Sequence, residues 1–211
     1  GDGVFLDSLK ETGLLDKVSR VEAVEIEAPE AQKVSDRYKD TPKVKVINQD
    51  FFDFYKEALG KKTFDLILGN PPYIRYQYLK ESQRECQAQI LTSHGMKSNK
   101  LINAWVAFMV ASVQMLSKRG KIAFVIPAEI LQVAYAEDLR LYLANHLAKI
   151  TLITFEQLVF PDIEQEVVVF IGEKGDAEKG IRIIEMNDLS GFDALDLSSN
   201  GFQPVQHVKE K

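Results

Sequence analysis

Strand-like and helix-like segments alternate along residues 1–149, and this alternation constrains the fold more than any other feature of the sequence. The apolar runs are short and rich in β-branched residues, and the segments between them space their apolar residues three or four apart. The strand-like runs are 21–29, 43–50, 64–70 and 121–127. Alternation of this kind builds a parallel sheet with helices on both faces. We therefore predict an α/β, doubly wound, mostly parallel sheet.

The order of segments changes after residue 149. Two strand-like runs, 149–156 and 166–173, follow one another, which predicts a hairpin and one antiparallel strand towards an edge of the sheet. The chain opens on a glycine turn, and turns of this type normally follow a strand. We expect the sheet to lack its first strand. We divide the chain after residue 173, into a region over 1–173 that contains these segments and a segment over 174–211 with one strand and a polar tail.

Composition limits the classes of protein to consider. Cys86 is the only cysteine among 211 residues, which excludes an internal disulfide and favours a reducing, cytoplasmic compartment. No apolar run approaches the roughly 20 residues that a membrane span needs. The formal net charge of −5 argues against a wholly basic nucleic-acid surface but allows a local basic groove. The three histidines show no metal-ligand spacing, so we expect no metal site; they are His94, His146 and His207.

Polar side chains follow successive predicted strands, at the sheet edge where open parallel sheets bind ligands. The residues concerned are the turn Gly1, Asp2 and Gly3, then Glu25, then Asp50 with Phe51, and finally Asn70, Pro71, Pro72 and Tyr73. Each has an ordinary alternative: glycine turns are common, Glu25 can be a solvated strand end, Asp50 can cap a helix that begins at Phe51, and Pro71-Pro72 can form a purely structural turn. The occurrence of all four in order favours a binding site.

The stiff corner Asn70-Pro71-Pro72-Tyr73 suits chemistry on a planar amine. The lone pair of such an amine is delocalised, and two fixed acceptors, the Asn70 side-chain oxygen and the Pro71 carbonyl, would hold its hydrogens out of plane. Tyr73 would offer a flat face to the ring that carries the amine.

Methyl transfer from S-adenosyl-L-methionine fits the other strand ends. The Gly1–Gly3 turn would approach the amino-acid part of the cofactor, Glu25 the ribose hydroxyls, and Asp50 the adenine amino group. Ile26 and Phe51 would pack on the adenine ring. The carboxylates of Asp2 and Glu25 suit a cofactor with a sulfonium and an ammonium, and they suit a pyrophosphate badly.

The motifs "GDGVFL", "AVEIEA", "NQDFF", "GNPPYIRYQ", "GKIAFVIPAEIL" and "FEQLVFPDIEQEVVVFIG" resemble those of amino-group DNA methyltransferases. The sequence is most similar to the adenine-N6 group with γ motif order, as in the methylase part of fused restriction–modification enzymes. The resemblance implies methylation of adenine N6 in double-stranded DNA, within a restriction–modification or phage-defence system. It implies that Phe160 contacts the flipped base opposite Tyr73; without the resemblance, Phe160 is equally well a core residue before a turn at Pro161. It also implies that 1–173 is a methyltransferase catalytic core truncated at its N-terminus and that 174–211 leads towards a missing recognition region. A recognition domain or subunit would then lie outside this chain, and the presence of an attached nuclease domain stays open.

Two alternatives remain open at this stage. Methyltransferases that act on protein glutamine or on an RNA guanine amine also resemble the Asn-Pro-Pro-Tyr corner. The segment 74–100, which combines lysines and arginines with Tyr76 and Tyr78, would border a nucleic-acid strand if DNA is the substrate. The second alternative is a non-catalytic DNA-binding or assembly fragment that keeps only the fold.

Overall fold

A computed structural model of the chain describes residues 1–98, 102–132, 136–157, 165–198 and 201–205. These residues form two compact units, Gly1–Lys61 and Lys62–Lys211, and each unit is described by itself. Across the described residues, no helix has both the length and the apolar character that crossing a membrane requires.

The first unit contains a two-stranded parallel sheet with four helices. Its elements are α1 (Val4–Glu11), α2 (Leu14–Lys17), β1 (Val21–Glu25), α3 (Ala28–Arg37), β2 (Val44–Asn48) and α4 (Phe51–Ala58). The register sets Val21 opposite Val44 and Glu25 opposite Asn48, so both strands end at the same edge. A buried apolar cluster joins α1, α2 and α3; its members are Leu6, Leu15, Val34 and Tyr38.

The apolar residues Val4, Phe5, Leu6 and Leu9 predict one buried face for α1, and this prediction is wrong in part. Leu6 is buried and Leu9 is half-buried, but Val4 is 59% exposed and Phe5 39% exposed. Consecutive helical residues point about 100° apart, so Val4, Phe5 and Leu6 cannot share one narrow contact face. The apolar run at the start of α1 therefore overstates how much of this helix is buried.

The second unit contains a six-stranded mixed sheet. Its elements are β3 (Phe64–Gly69), α5 (Glu81–Thr92), α6 (Ala104–Met115), β4 (Leu116–Pro127), α7 (Glu137–His146), β5 (Lys149–Phe155), β6 (Val167–Glu173), β7 (Gly180–Met186) and β8 (Gln203–Pro204). The strand order is β3-β4-β6-β5-β7-β8. The β3–β4 and β5–β7 pairs are parallel, and β6 is antiparallel to both of its neighbours. The predicted α/β fold with a mostly parallel sheet is confirmed.

Two details of the strand order differ from the prediction. The antiparallel strand β6 lies inside the sheet, between β4 and β5, and not towards an edge. The short β8 adds a second antiparallel pairing, with β7. Because β7 pairs with β5 over seven residues, the strand that follows residue 174 belongs to the same sheet as β4 and β6. The domain division at residue 173 stays a prediction.

The spacing of apolar residues over 98–120 predicts one long helix, and the structure contains a shorter one. Helix α6 begins at Ala104 and ends at Met115, and β4 begins directly at Leu116. The pairing of β4 with β3 is irregular at this point. Phe64 is opposite Leu116, but Leu66, two residues later in β3, is opposite Lys121, five residues later in β4. A Cβ atom on Gly120 would lie 2.8 Å from the Phe64 carbonyl oxygen. Gly120 therefore permits close approach of two strands and does not end a helix.

Candidate active site

The Asn-Pro-Pro-Tyr corner follows the carboxyl end of β3 directly. The last strand residue, Gly69, pairs with Phe124 of β4, and a Cβ atom at position 69 would lie 3.0 Å from the Phe124 ring. Beyond this close contact, Asn70 is exposed and Pro71 is buried. The Asn70 side chain is thus at the protein surface and not in the packed interior, as a role in holding a substrate requires. That role itself stays a prediction.

Hydrogen bonds connect the residues after the prolines to β4 and to the start of α6. The Tyr73 hydroxyl donates to the Val125 carbonyl oxygen of β4 at 3.1 Å. The Ala104 backbone N–H, at the start of α6, donates to the Ile74 carbonyl oxygen at 2.9 Å, and Arg75 forms an isolated antiparallel bridge with Asn103. With φ locked at both prolines, the corner has little freedom left to lose on binding a substrate.

The environment of Tyr73 limits what its side chain can do. Burial raises the pKa of Tyr73 to about 12. The hydroxyl therefore stays protonated at neutral pH, where it donates to Val125 and is not available as a base. The half-buried ring is the part of Tyr73 left for contact with a substrate.

In the first unit, the structure brings several predicted cofactor residues together at the end of β1. The Glu25 carboxylate forms an ion pair with the amino group of Gly1 and accepts a hydrogen bond from the Glu27 backbone N–H at 2.7 Å. The Asn48 side-chain amide donates to the carbonyl oxygens of Glu25, at 2.9 Å, and Ile26, at 3.0 Å. We did not predict this role of Asn48, although an amide at the end of a strand-like run was a visible signal.

Asp50 caps the N-terminus of helix α4, and Phe51 is the first residue of that helix. An Asp50 carboxylate oxygen accepts a hydrogen bond from the Phe52 backbone N–H at 2.8 Å, which confirms the capping alternative. The Phe51 ring packs edge-on against the Phe52 ring, with centroids 5.8 Å apart. The cofactor contacts of Asp50 and Phe51 stay predictions.

The residues present in the first unit fit S-adenosylmethionine chemically. Ile26 is 49% exposed and follows Glu25 directly, so an apolar side chain and a carboxylate lie side by side at one strand end. Such a pair suits a nucleoside, whose ribose offers donors and whose base offers an apolar face.

Two further predictions concern Phe160 and the expected lack of a metal site. Phe160 lies outside the described residues. Within the described part of the chain, no three or more His, Cys, Asp or Glu side chains are grouped as metal ligands.

Gly3 gives a direct test of the glycine turn. Its φ is +90°, and a Cβ atom would lie 2.9 Å from a Val34 methyl group. We expect Gly3→Ala to lower the free energy of unfolding of the first unit by about 1–3 kcal/mol, because strain and overpacking add. Hydrogen exchange of the α1 and α3 amides measures this. Gly1→Ala is the control, because its Cβ would meet no atom within 4 Å; equal protection in both variants would contradict the prediction.

The chain matches the family of the Eco57I restriction-modification methylase over residues 8–160. It is 31% identical over 202 residues to the type II methyltransferase M.HincII of Haemophilus influenzae, covering 95% of this chain and 36% of that protein. The chain therefore spans about a third of the length of the curated relatives it matches.

Two solved structures share the fold. The DrdV–DNA complex has a TM-score of 0.71 at 13% identity and covers 92% of this chain and 26% of that one. A Listeria monocytogenes protein assigned to the class I S-adenosylmethionine-dependent methyltransferases has a TM-score of 0.62 at 13% identity, covering 81% of this chain and 50% of that one. With the family match over 8–160, these findings lead to one conclusion: the chain belongs to the Eco57I restriction-modification methylase family.

Proposed function

We propose that this chain forms the catalytic part of an S-adenosylmethionine-dependent enzyme that methylates adenine N6 in DNA. The observation that carries the proposal is the exposed Asn70 at the carboxyl end of β3, inside a corner held by β4 and by the start of α6. Membership of a restriction-modification methylase family supports the same reaction class.

The corner supplies acceptors for the target amine. The Asn70 side-chain oxygen and the Pro71 carbonyl oxygen each accept one hydrogen of the N6 amine, which turns its lone pair out of the ring plane. Because the prolines and the Tyr73 hydroxyl fix the corner in advance, little reorganisation remains for the transition state. The proton can leave after methylation, so no strong base is needed.

S-adenosylmethionine, when bound, supplies the electrophilic methyl group. Gly1, Asp2 and Gly3 would hold its amino-acid part, Glu25 its ribose, and Ile26, Asp50 and Phe51 its adenine. The carboxylates of Asp2 and Glu25 would balance the positive charges of this ligand. The exposed Ile26 gives the adenine an apolar surface to cover.

Features after the corner support DNA as the substrate. Tyr78 is 73% exposed, five residues beyond Tyr73. The Arg84 guanidinium lies 5.7 Å from the Tyr76 ring centroid, so a cation and an aromatic face adjoin in the same segment. Tyr76 and Arg84 are half-buried and Tyr78 is exposed; aromatic and basic side chains at a protein surface stack on bases and neutralise phosphates. A flipped adenine would stack on Tyr73, with Phe160 on its other face.

The test is the identity of the methylated product. The complete protein is incubated with labelled S-adenosylmethionine and, in parallel, with duplex DNA, RNA or a glutamine peptide. Nucleosides and amino acids from each digest are then separated by mass spectrometry. We expect N6-methyladenine from DNA. N4-methylcytosine, methylguanine or methylglutamine as the main product would overturn the assignment, and absence of any product would favour the non-catalytic alternative.

Tyr73→Ala should weaken capture of the target base more than binding of the cofactor. Loss of one stacking face costs about 1–3 kcal/mol, so we expect binding to a duplex with a mismatched target adenine to weaken about 5- to 150-fold. Fluorescence anisotropy with that duplex measures the loss. Tyr73→Phe is the control, because it keeps the ring and removes only the hydrogen bond to Val125. Equal DNA binding by the alanine variant would contradict a stacking role.

A further inference from the structure

A cavity of about 440 Å³ opens at the end of the six-stranded sheet where β4 and β5 begin and β6 ends. The proposed methylation corner follows the carboxyl end of β3, which is parallel to β4, so the cavity lies at the other end of these strands. The lining residues are Arg119, Lys121, Ala148, Lys149, Glu173, Lys174, Gly175, Asp176 and Ala177. No predicted site residue is among them.

The strand register brings charged side chains together at this cavity. Glu173 of β6 is directly opposite Lys121 of β4 on one side and Lys149 of β5 on the other. Directly paired residues in a sheet project to the same face, so these three side chains are neighbours. The Lys121 ammonium forms an ion pair with Glu173 at 2.8 Å, which uses the charge of that carboxylate.

The cavity walls have an excess of positive charge. Four cations and two carboxylates line it, which leaves a formal charge of +2 in a chain whose net charge is −5. The charges of Lys121 and Glu173 neutralise each other. The other charged lining residues are three cations and one carboxylate, Asp176; the cations are Arg119, Lys149 and Lys174. A concave wall with this excess concentrates anions.

Lys174 is a partly desolvated cation in the wall of the cavity. Its ammonium is half-buried and donates to the Leu116 carbonyl oxygen at 3.2 Å, and burial lowers the pKa of Lys174. A desolvated ammonium with a neutral partner gains stability when an anion approaches it. Lys149 is partly engaged already, because its ammonium lies 4.7 Å from the Phe202 ring centroid. An aromatic face covers only one side of an ammonium and leaves donors for a ligand.

We propose that this cavity binds a phosphate group through Arg119, Lys149 and Lys174. The planar Arg119 guanidinium can bind two phosphate oxygens at once, and the two lysines supply point charges around the third. A volume of about 440 Å³ is large enough for a phosphate that carries a nucleoside-sized group. The phosphate can belong to a nucleic-acid backbone or to a small phosphorylated ligand, and the two sources share this chemistry.

Binding of pyrophosphate to the complete protein tests the proposal. Isothermal titration calorimetry should detect binding that weakens with salt, and Arg119→Gln should weaken it about tenfold or more, the loss expected for one charge-assisted hydrogen bond. Arg119 is exposed, so this variant should fold normally. Lys118→Gln is the matched control, because Lys118 is its exposed neighbour and does not line the cavity; it should change the affinity less than twofold.

Competition then identifies the source of the phosphate. If a short oligonucleotide displaces pyrophosphate and Arg119→Gln reduces that displacement, the ligand is a nucleic-acid backbone. If adenosine monophosphate displaces it and the oligonucleotide does not, the ligand is a small phosphate. No pyrophosphate binding, or equal weakening by Arg119→Gln and Lys118→Gln, would overturn the proposal. Asn70→Ala should leave this binding unchanged, so the result is independent of the proposed methylation.

Discussion

Asn70→Ala is expected to lower methyl transfer to DNA by about 10²- to 10³-fold, the usual cost of removing one preorganised polar group from a catalytic site. The variant removes the side-chain oxygen that would hold one hydrogen of the target amine and leaves the Pro71 carbonyl in place. Because Asn70 is exposed, its replacement should change the free energy of unfolding by less than about 0.5 kcal/mol. The measurement is the single-turnover rate of methyl incorporation at saturating cofactor.

Two comparisons make the Asn70 result specific. Asn145→Ala removes the same side chain from an exposed position in α7 and should leave the rate unchanged. Asn70→Asp keeps an acceptor oxygen and should retain more activity than the alanine variant. A rate for Asn70→Ala within about twofold of the wild type would exclude a transition-state role for this residue.

Trp105→Ala is expected to lower the free energy of unfolding of the second unit by about 3–5 kcal/mol. Trp105 is fully buried in α6, a helix whose residues are almost all buried. The same helix begins at Ala104, which donates to the Ile74 carbonyl oxygen beside the corner. We therefore expect the loss to appear first as faster hydrogen exchange in α6 and in residues 73–75. Urea unfolding with fluorescence of the tyrosines measures the total change.

Trp105→Phe keeps a large ring in the core and removes the indole N–H group, so it separates the effect of a cavity from the effect of that polar group. The buried indole N–H of Trp105 has no hydrogen-bond acceptor among the described residues, so its removal abolishes an unsatisfied donor. That gain offsets part of the lost packing, and we expect a change of about 1 kcal/mol or less. If the alanine variant were as stable as the phenylalanine variant, packing of this ring would not support the corner.

The strands and the corner were the most predictable parts of the structure. The runs at 64–70 and 149–156 are bounded by glycine, proline or charged residues, and they correspond to β3 and β5 within a residue or two at each end. Asp50 was recognisable as a helix cap because an acid directly before an apolar helix has few other local partners. Local chemistry decides these features, so a single sequence contains enough information to predict them.

Features set by distant residues could not be predicted. The apolar run through 104–116 continues without a break where α6 becomes β4, so periodicity gives no sign of the boundary. The interior position of β6 depends on pairing with two strands at once. The His94 and His146 rings, which are far apart in the sequence, lie 6.1 Å apart beside Tyr142; His207 lies outside the described residues. The cationic cavity likewise joins residues from separate strands.

The most direct measurement is a structure of the complete protein bound to its target duplex and a non-transferable cofactor analogue. We expect a flipped adenine whose N6 lies about 2.7–3.2 Å from both the Asn70 side-chain oxygen and the Pro71 carbonyl oxygen. An N6 more than about 3.5 Å from both oxygens, or an Asn70 side chain bonded elsewhere while the base is in place, would contradict it.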